Sequence, residues 1–277
     1  MILFPTDFSE SSAKVFPFAL DFAAKTGLSI HVVHFYQVDL GEFHGATHFQ
    51  YTDIEKSLRE EMDGFLEGLP KNPKVRVLNS LEIGFPIQGM KRLTSEGEKY
   101  KYIVMSTQGQ RNALERFFGS IAAEISVRSD IPVLLIPAGL EHKSFENIVF
   151  AANRESVHKD TIDNIRALVK LYKSTVHFVY VADGREKGDQ EDIRERIINI
   201  LFEEDVPDFP FLIHFVEGGE VMDGINHYID KTNADLAVFC NINRNFWRSI
   251  LHRSTTKKMV MNTRVPMLVI HLTEEND

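Results

Sequence analysis

One cysteine in 277 residues, Cys240, excludes an internal disulfide and any thiolate cluster for structural zinc within one chain. It closes the apolar run LAVFC, so a buried, inert thiol is expected there and not a nucleophile. A basic stripe is also missing. The formal net charge is -9, which gives no footing for nucleic acid. No unbroken apolar run approaches the roughly 20 residues that span a bilayer. The opening MILFPTDFSE has neither a basic leader nor a long apolar core. A soluble, cytoplasmic chain with no membrane or nucleic-acid partner is therefore expected. G-x-S-x-G, H-E-x-x-H and the lysine-bearing phosphate loop are absent as well, so dedicated catalysis is not expected.

What the chain has is a duplication. ILFPTDFSESS returns as IVFAANRESVH, with Ile2 over Ile148 and Asp7 over Asn153, 146 positions apart. SIHVVHFYQ and STVHFVYVA keep that spacing, setting His31 over His177 and His34 over Tyr180. Further on the spacing is 134, fixed by Gly84 over Gly218, KYIVMSTQG over DLAVFCNIN, and DIPVLLIP over RVPMLVIH. Landmarks repeated in one order indicate two copies of one unit. The reading is two domains, 1–140 and 144–277, with GLEHKSFE as the joint. The change of spacing gives the first copy 12 more residues, in QVDLGEFHGATHFQYTDIEKSLREEM. Ligand-facing groups and a tolerated insertion both fit such a loop. Its His44 and His48 stand four apart near Asp39 and Glu42, but their turn-like surroundings point to solvated side chains and no metal site.

Within the first copy, apolar strands at Ile2–Phe4, Ser29–Phe35, Lys74–Asn79, Tyr102–Ser106 and Val133–Ile136 alternate with amphipathic helices. That alternation predicts a parallel sheet covered on both faces. Pro17, inside the first helical pattern, predicts a kink or a late start. His31, His34 and His177 lie on apolar strands, where packing or a strand-end hydrogen bond is the expectation.

Ser106 to Ser120, STQGQRNALERFFGS, follows the fourth strand and leads into a helix. Its glycines and the Gly-Ser pair are the parts of a phosphate cradle, and equally of an ordinary loop. Together with ILFPTDFSESS, the strand ending in His34, LEIGFP, YIVMSTQG, FFGSIAAEI and IPVLLIP, this stretch resembles the universal stress protein family, in particular its tandem-domain members. The family's nucleotide signature is glycine, two residues, glycine, nine residues, glycine, then serine or threonine. Gly109, Gly119 and Ser120 match it, while Ser106 stands at the opening glycine.

The resemblance implies an α/β fold of two similar doubly wound, Rossmann-like domains. Each has a five-stranded, mostly parallel sheet of order 3-2-1-4-5 and pairs with a like domain. It also implies an adenine nucleotide, ATP, with Mg²⁺ as a companion, in the first copy. Pro5, Thr6 and Asp7 would follow strand one, with the aspartate near adenine and ribose. Phe35 would lie over the base, and Met105 and Ser106 at the end of strand four. Gly109, Gly119, Ser120 and Ile121 would meet the phosphates. The second copy has Ala151, Ala152 and Asn153, then Cys240, Asn243, Arg253 and Ser254, at the matching places, which predicts a partner domain without nucleotide. The resulting expectation is an ATP-binding stress or regulatory protein, homodimeric, with slow ATP hydrolysis left open. The alternative is a non-nucleotide scaffold of the same fold that holds an unidentified protein through the loop at Phe246 and Trp247.

Overall fold

The computed structural model describes residues 1–37, 48–95, 99–107, 120–153, 156–182, 189–203, 206–207, 209–217, 221–241 and 265–271. The chain divides into two compact units, Met1–His142 and Lys143–Asp277.

In unit 1 the elements are β1 (Ile2–Pro5), α1 (Glu10–Thr26), β2 (Ile30–Tyr36), α2 (His48–Glu67), β3 (Val77–Ile83), α3 (Pro86–Ser95), β4 (Tyr102–Ser106), α4 (Ser120–Arg128) and β5 (Val133–Ile136). Its strands lie in the order β3-β2-β1-β4-β5, and the paired strands run parallel. This is the expected 3-2-1-4-5 order. The inner strands β1 and β4 are strongly apolar because both of their faces are covered: Ile2, Leu3, Phe4, Ile103 and Val104 are buried. Right-handed crossovers put α1 and α2 on one face and α3 and α4 on the other.

Unit 2 repeats the plan with β6 (Asn147–Ala151), α5 (Lys159–Tyr172), β7 (Thr175–Ala182), α6 (Asp189–Leu201), β8 (Phe211–Glu217), α7 (Val221–Thr232), β9 (Leu236–Asn241) and β10 (Met267–His271). Its order is β8-β7-β6-β9-β10, again with parallel pairs. No helix among the described residues is long and apolar enough to cross a membrane.

The structure corrects the bounds of the third strand, excludes a late start of the first helix and adds detail to the repeat spacing. The third strand is Val77–Ile83 and not Lys74–Asn79. As the outer strand of its sheet it leaves Val77 and Ile83 exposed, so it lacks the continuous apolar run that marks its neighbours. Helix α1 begins at Glu10, well ahead of Pro17, because Ser9 caps it by accepting the Ser12 N–H. Proline there removes one helical N–H, while Val15, Phe16, Ala19, Leu20 and Ala23 bury the helix against the sheet. Finally, α3 and α7 match at a spacing of 135 and not 134. The buried residues Gly89, Met90 and Leu93 of α3 correspond to Gly224, Ile225 and Tyr228 of α7.

Candidate functional site

The carboxyl ends of β1 and β4 lie side by side in unit 1, since Ile2 pairs with Tyr102 and Leu3 with Ile103. From β1 the chain leaves toward β2, and from β4 it leaves toward β5, so the two connections diverge. Such a divergence opens a crevice at the carboxyl edge of a doubly wound sheet. Because β4 and β5 are parallel, α4 runs back between them with its amino end at that edge. α4 is described from Ser120, and the amino end of a helix carries N–H groups without helical acceptors and the positive end of the dipole.

Thr6 and Asp7 build the β1–α1 turn through their own side chains. Thr6 Oγ1 accepts the Phe8 N–H at 3.0 Å. Asp7 Oδ1 accepts the Ser9 N–H at 3.2 Å and the Ser12 hydroxyl at 2.9 Å. Short polar side chains that bond nearby backbone are what favours a turn over a continued strand. The turn holds Phe8 at φ 62, a left-handed conformation that costs a non-glycine residue about 1–2 kcal/mol. The ring is held in place: Phe8 stacks on His34 with centroids 4.2 Å apart and meets Phe65 of α2 at 5.8 Å. His34 in turn donates through Nδ1 to the Thr6 carbonyl at 2.8 Å, tying the end of β2 to the end of β1. Nothing in the sequence pattern had marked Phe8. The only cue was the threonine-aspartate pair before it.

The structure brings Pro5, Thr6, Asp7, Met105 and Ser106 together at the crevice. Thr6 and Met105 are buried, whereas Pro5, Asp7 and Ser106 are partly open. Ile121, half-buried, follows in the first turn of α4. Phe35 sits at the end of β2 with its ring against α3. A Cβ built on Gly89 would fall 2.2 Å from Phe35 Cε1, so the phenyl ring occupies space that any side chain at 89 would need. Gly109, Gly119, Asn243, Phe246, Trp247, Arg253, Ser254 and His44, and the side chains of His48 and Ser120, lie outside the described residues.

Toward the amino edge of the sheet, away from the crevice, His31 belongs to a polar chain that runs from the interior to the surface. Its Nδ1 meets the Tyr100 hydroxyl at 2.6 Å and its Nε2 the Ser80 hydroxyl at 2.9 Å. Ser80 donates onward to Glu82 at 3.2 Å, and Arg92 reaches the other Glu82 oxygen at 2.8 Å. Burial, reinforced by the charge on Lys99, pushes the His31 imidazole below its usual range, while Glu82 pulls it back up. A neutral, fully bonded imidazole is a packing group.

At the matching place in unit 2, Asn153 forms a closed local turn. Its N–H donates to Ser156 Oγ at 2.8 Å, and its Oδ1 accepts the Ser156 N–H at 2.6 Å. The carboxylate of Asp7 has no equivalent there. Cys240, opposite Ser106, is buried 3.4 Å from Thr161 Oγ1, and desolvation pushes its thiol up to about 11. It is an inert thiol.

The model of the Universal stress protein family matches residues 1–137. A universal stress protein from Archaeoglobus fulgidus DSM 4304 shares the fold with a TM-score of 0.71 at 17% identity, over 99% of this chain and 97% of that one. A putative universal stress protein from Pseudomonas aeruginosa UCBPP-PA14 gives 0.58 at 16%, over 98% and 92%. The cytoplasmic domain of a prokaryotic cation chloride cotransporter gives 0.51 at 14%, over 99% and 96%. At such identities the likeness is one of fold. No sequence among the curated proteins matches the chain. Through residues 1–137, which make up nearly all of unit 1, the chain belongs to the universal stress protein family.

Proposed function

We propose that unit 1 binds an adenine nucleotide, ATP, with its phosphates on the stretch from Gly109 to Ser120, and that unit 2 takes none. The observation that carries this reading is the placement of the α4 amino end beside the carboxyl ends of β1 and β4, directly after the glycine spacing of the family signature. Unpaired helix N–H groups suit an anion. Asp7 supplies the crevice's negative acceptor, suited to a base amino group or ribose hydroxyls. Its Oδ1 is already held by Ser9 and Ser12. Mg²⁺ therefore fits as a companion of the triphosphate, held mainly by phosphate oxygens. With none of the hydrolase motifs G-x-S-x-G, H-E-x-x-H or the lysine-bearing phosphate loop in the sequence, the reading is a nucleotide-responsive regulator and not a dedicated hydrolase. Homodimerisation belongs to the same reading and is checked by mass in solution.

Calorimetric titration with ATP and Mg²⁺ tests it. Gly119→Val, which closes the phosphate turn, is expected to abolish binding, and Arg253→Val to leave it nearly unchanged. No heat at millimolar nucleotide overturns the reading. Loss of binding only in the Arg253 variant moves the site to unit 2. One observation favours the scaffold alternative: Phe202 and Val206 are exposed in unit 2, where unit 1 has Gly68 and Asn72. Adenine absorbance released on denaturing the purified protein separates the two readings.

A further inference from the structure

Unit 2 carries a second histidine where unit 1 has a serine. In unit 1, His31 pairs with Leu78 and Val33 with Ser80, a diagonal that brings Ser80 Oγ to 2.9 Å from His31 Nε2. In unit 2 the same register pairs His177 with Leu212 and Val179 with His214, so His214 takes the place of Ser80 on that face. His177 is 6% exposed, and its Nε2 is buried with no hydrogen-bond partner among the described residues. Its other nitrogen, Nδ1, meets the Tyr228 hydroxyl at 2.9 Å. The Tyr228 ring lies 5.7 Å from the His177 ring and 4.6 Å from the His214 ring, centroid to centroid. A buried ring nitrogen left without a partner is costly, so a bound ion or an ordered water at this nitrogen would be favourable.

We propose that His177 Nε2 and His214 ligate a divalent transition metal ion of the class that takes imidazole nitrogen, Zn²⁺ or Cu²⁺. With Nδ1–H donating to the Tyr228 oxygen, the lone pair stays on Nε2, which is the support that metal-binding histidines usually receive. Among the described residues no three histidine, cysteine or carboxylate groups cluster, so the ion would have two protein ligands and water would have to fill its remaining positions. The outer-strand position of β8 leaves His214 partly open, which gives the ion a way in.

The test uses the full chain, stripped of metal and titrated with Zn²⁺ and, separately, Cu²⁺. His214→Ser restores the serine that satisfies the histidine in unit 1, so this variant folds with its imidazole paired. A double His44→Ser, His48→Ser variant removes loop histidines as background. The expected result is one equivalent of metal retained in the loop variant and weakened by about tenfold or more in His214→Ser. The Cu²⁺ electron paramagnetic resonance spectrum should show coupling to two nitrogens in the wild type and fewer in His214→Ser. Equal affinity and stoichiometry in wild type and His214→Ser overturn the proposal. So does the absence of uptake at millimolar Zn²⁺, which would assign the unpaired nitrogen to an ordered water.

Discussion

Both units place a histidine on the second strand at the same register, yet the two are satisfied from different directions. His31 takes its tyrosine from the segment ahead of β4, through Tyr100, and a serine from β3. His177 takes its tyrosine from the body of α7, through Tyr228, and faces a histidine on β8. The backbone plan kept a polar hole at this point, and each copy filled it with whatever side chain reached there. The same holds at the crevice. Thr6 and Asp7 fold a turn whose carboxylate stays partly open, while Asn153 and Ser156 bond to each other and close theirs. A duplicated fold can thus keep its packing solution while the group that would meet a ligand is lost.

The largest effect that would sharpen this comparison comes from the paired positions under α3 and α7. Phe35→Ala should cost unit 1 about 3–5 kcal/mol in urea unfolding. Val181→Ala, its counterpart, should cost unit 2 about 2 kcal/mol. Equal losses would break the equivalence of the two sites. Next in size is Gly89→Ala, which drives a methyl into the Phe35 ring and should cost about 1–3 kcal/mol. Adding Phe35→Val, the valine that unit 2 uses, should recover most of that loss. Gly224→Ala meets the Val181 methyls at 2.9 Å and should cost less than Gly89→Ala in the same assay.

A smaller effect is expected at the caps of α1 and α5. Gly27 at φ 70 and Lys173 at φ 56 close these helices in the same left-handed conformation, each N–H bonding the carbonyl four residues back. Lys173→Gly should stabilise unit 2 by about 1 kcal/mol, and Gly27→Lys should destabilise unit 1 by a similar amount. Thermal unfolding of the two variants checks the pair, and shifts of the same sign would refute it.

The smallest effect is the pH response of the paired histidines. Burial holds both His31 and His177 below the ordinary imidazole value of 6.5. The unfolded chain takes up protons at these sites as pH falls through that value, whereas the folded units resist uptake. Stability is therefore full above 6.5 and is lost as pH falls from there toward the lowered folded values. His31→Gln and His177→Gln should each flatten the loss between neutral and mildly acidic pH. Glu82→Gln, which removes the charge that raises His31, should steepen it. Denaturation midpoints across the range check all three.

The inner strands of unit 1 were legible because burial on both faces leaves an unbroken apolar run, as in ILF at 2–4 and IVM at 103–105. The outer strand β3 was misplaced because one of its faces is open and its pattern there is mixed. Pro5, Thr6, Asp7, Met105 and Ser106 were named through the family resemblance, and they fall at or just after the ends of β1 and β4. The left-handed Phe8 was not legible, because its conformation is stabilised by stacking on His34, a contact made between strands. The His177, His214 and Tyr228 cluster was equally hidden. It depends on strand register and on the one-residue shift of α7, neither of which the linear spacing of 134 conveys.

The lone thiol has a practical consequence. Cys240 sits in the fourth strand of unit 2, and both its burial and its raised pKa suppress the thiolate that alkylating reagents attack. Modification must wait until that unit opens. The natural sequence therefore contains its own stopwatch for the opening of one half of the molecule, silent toward the other, and the rate of thiol labelling with and without ATP or metal can be followed by mass without altering a single residue.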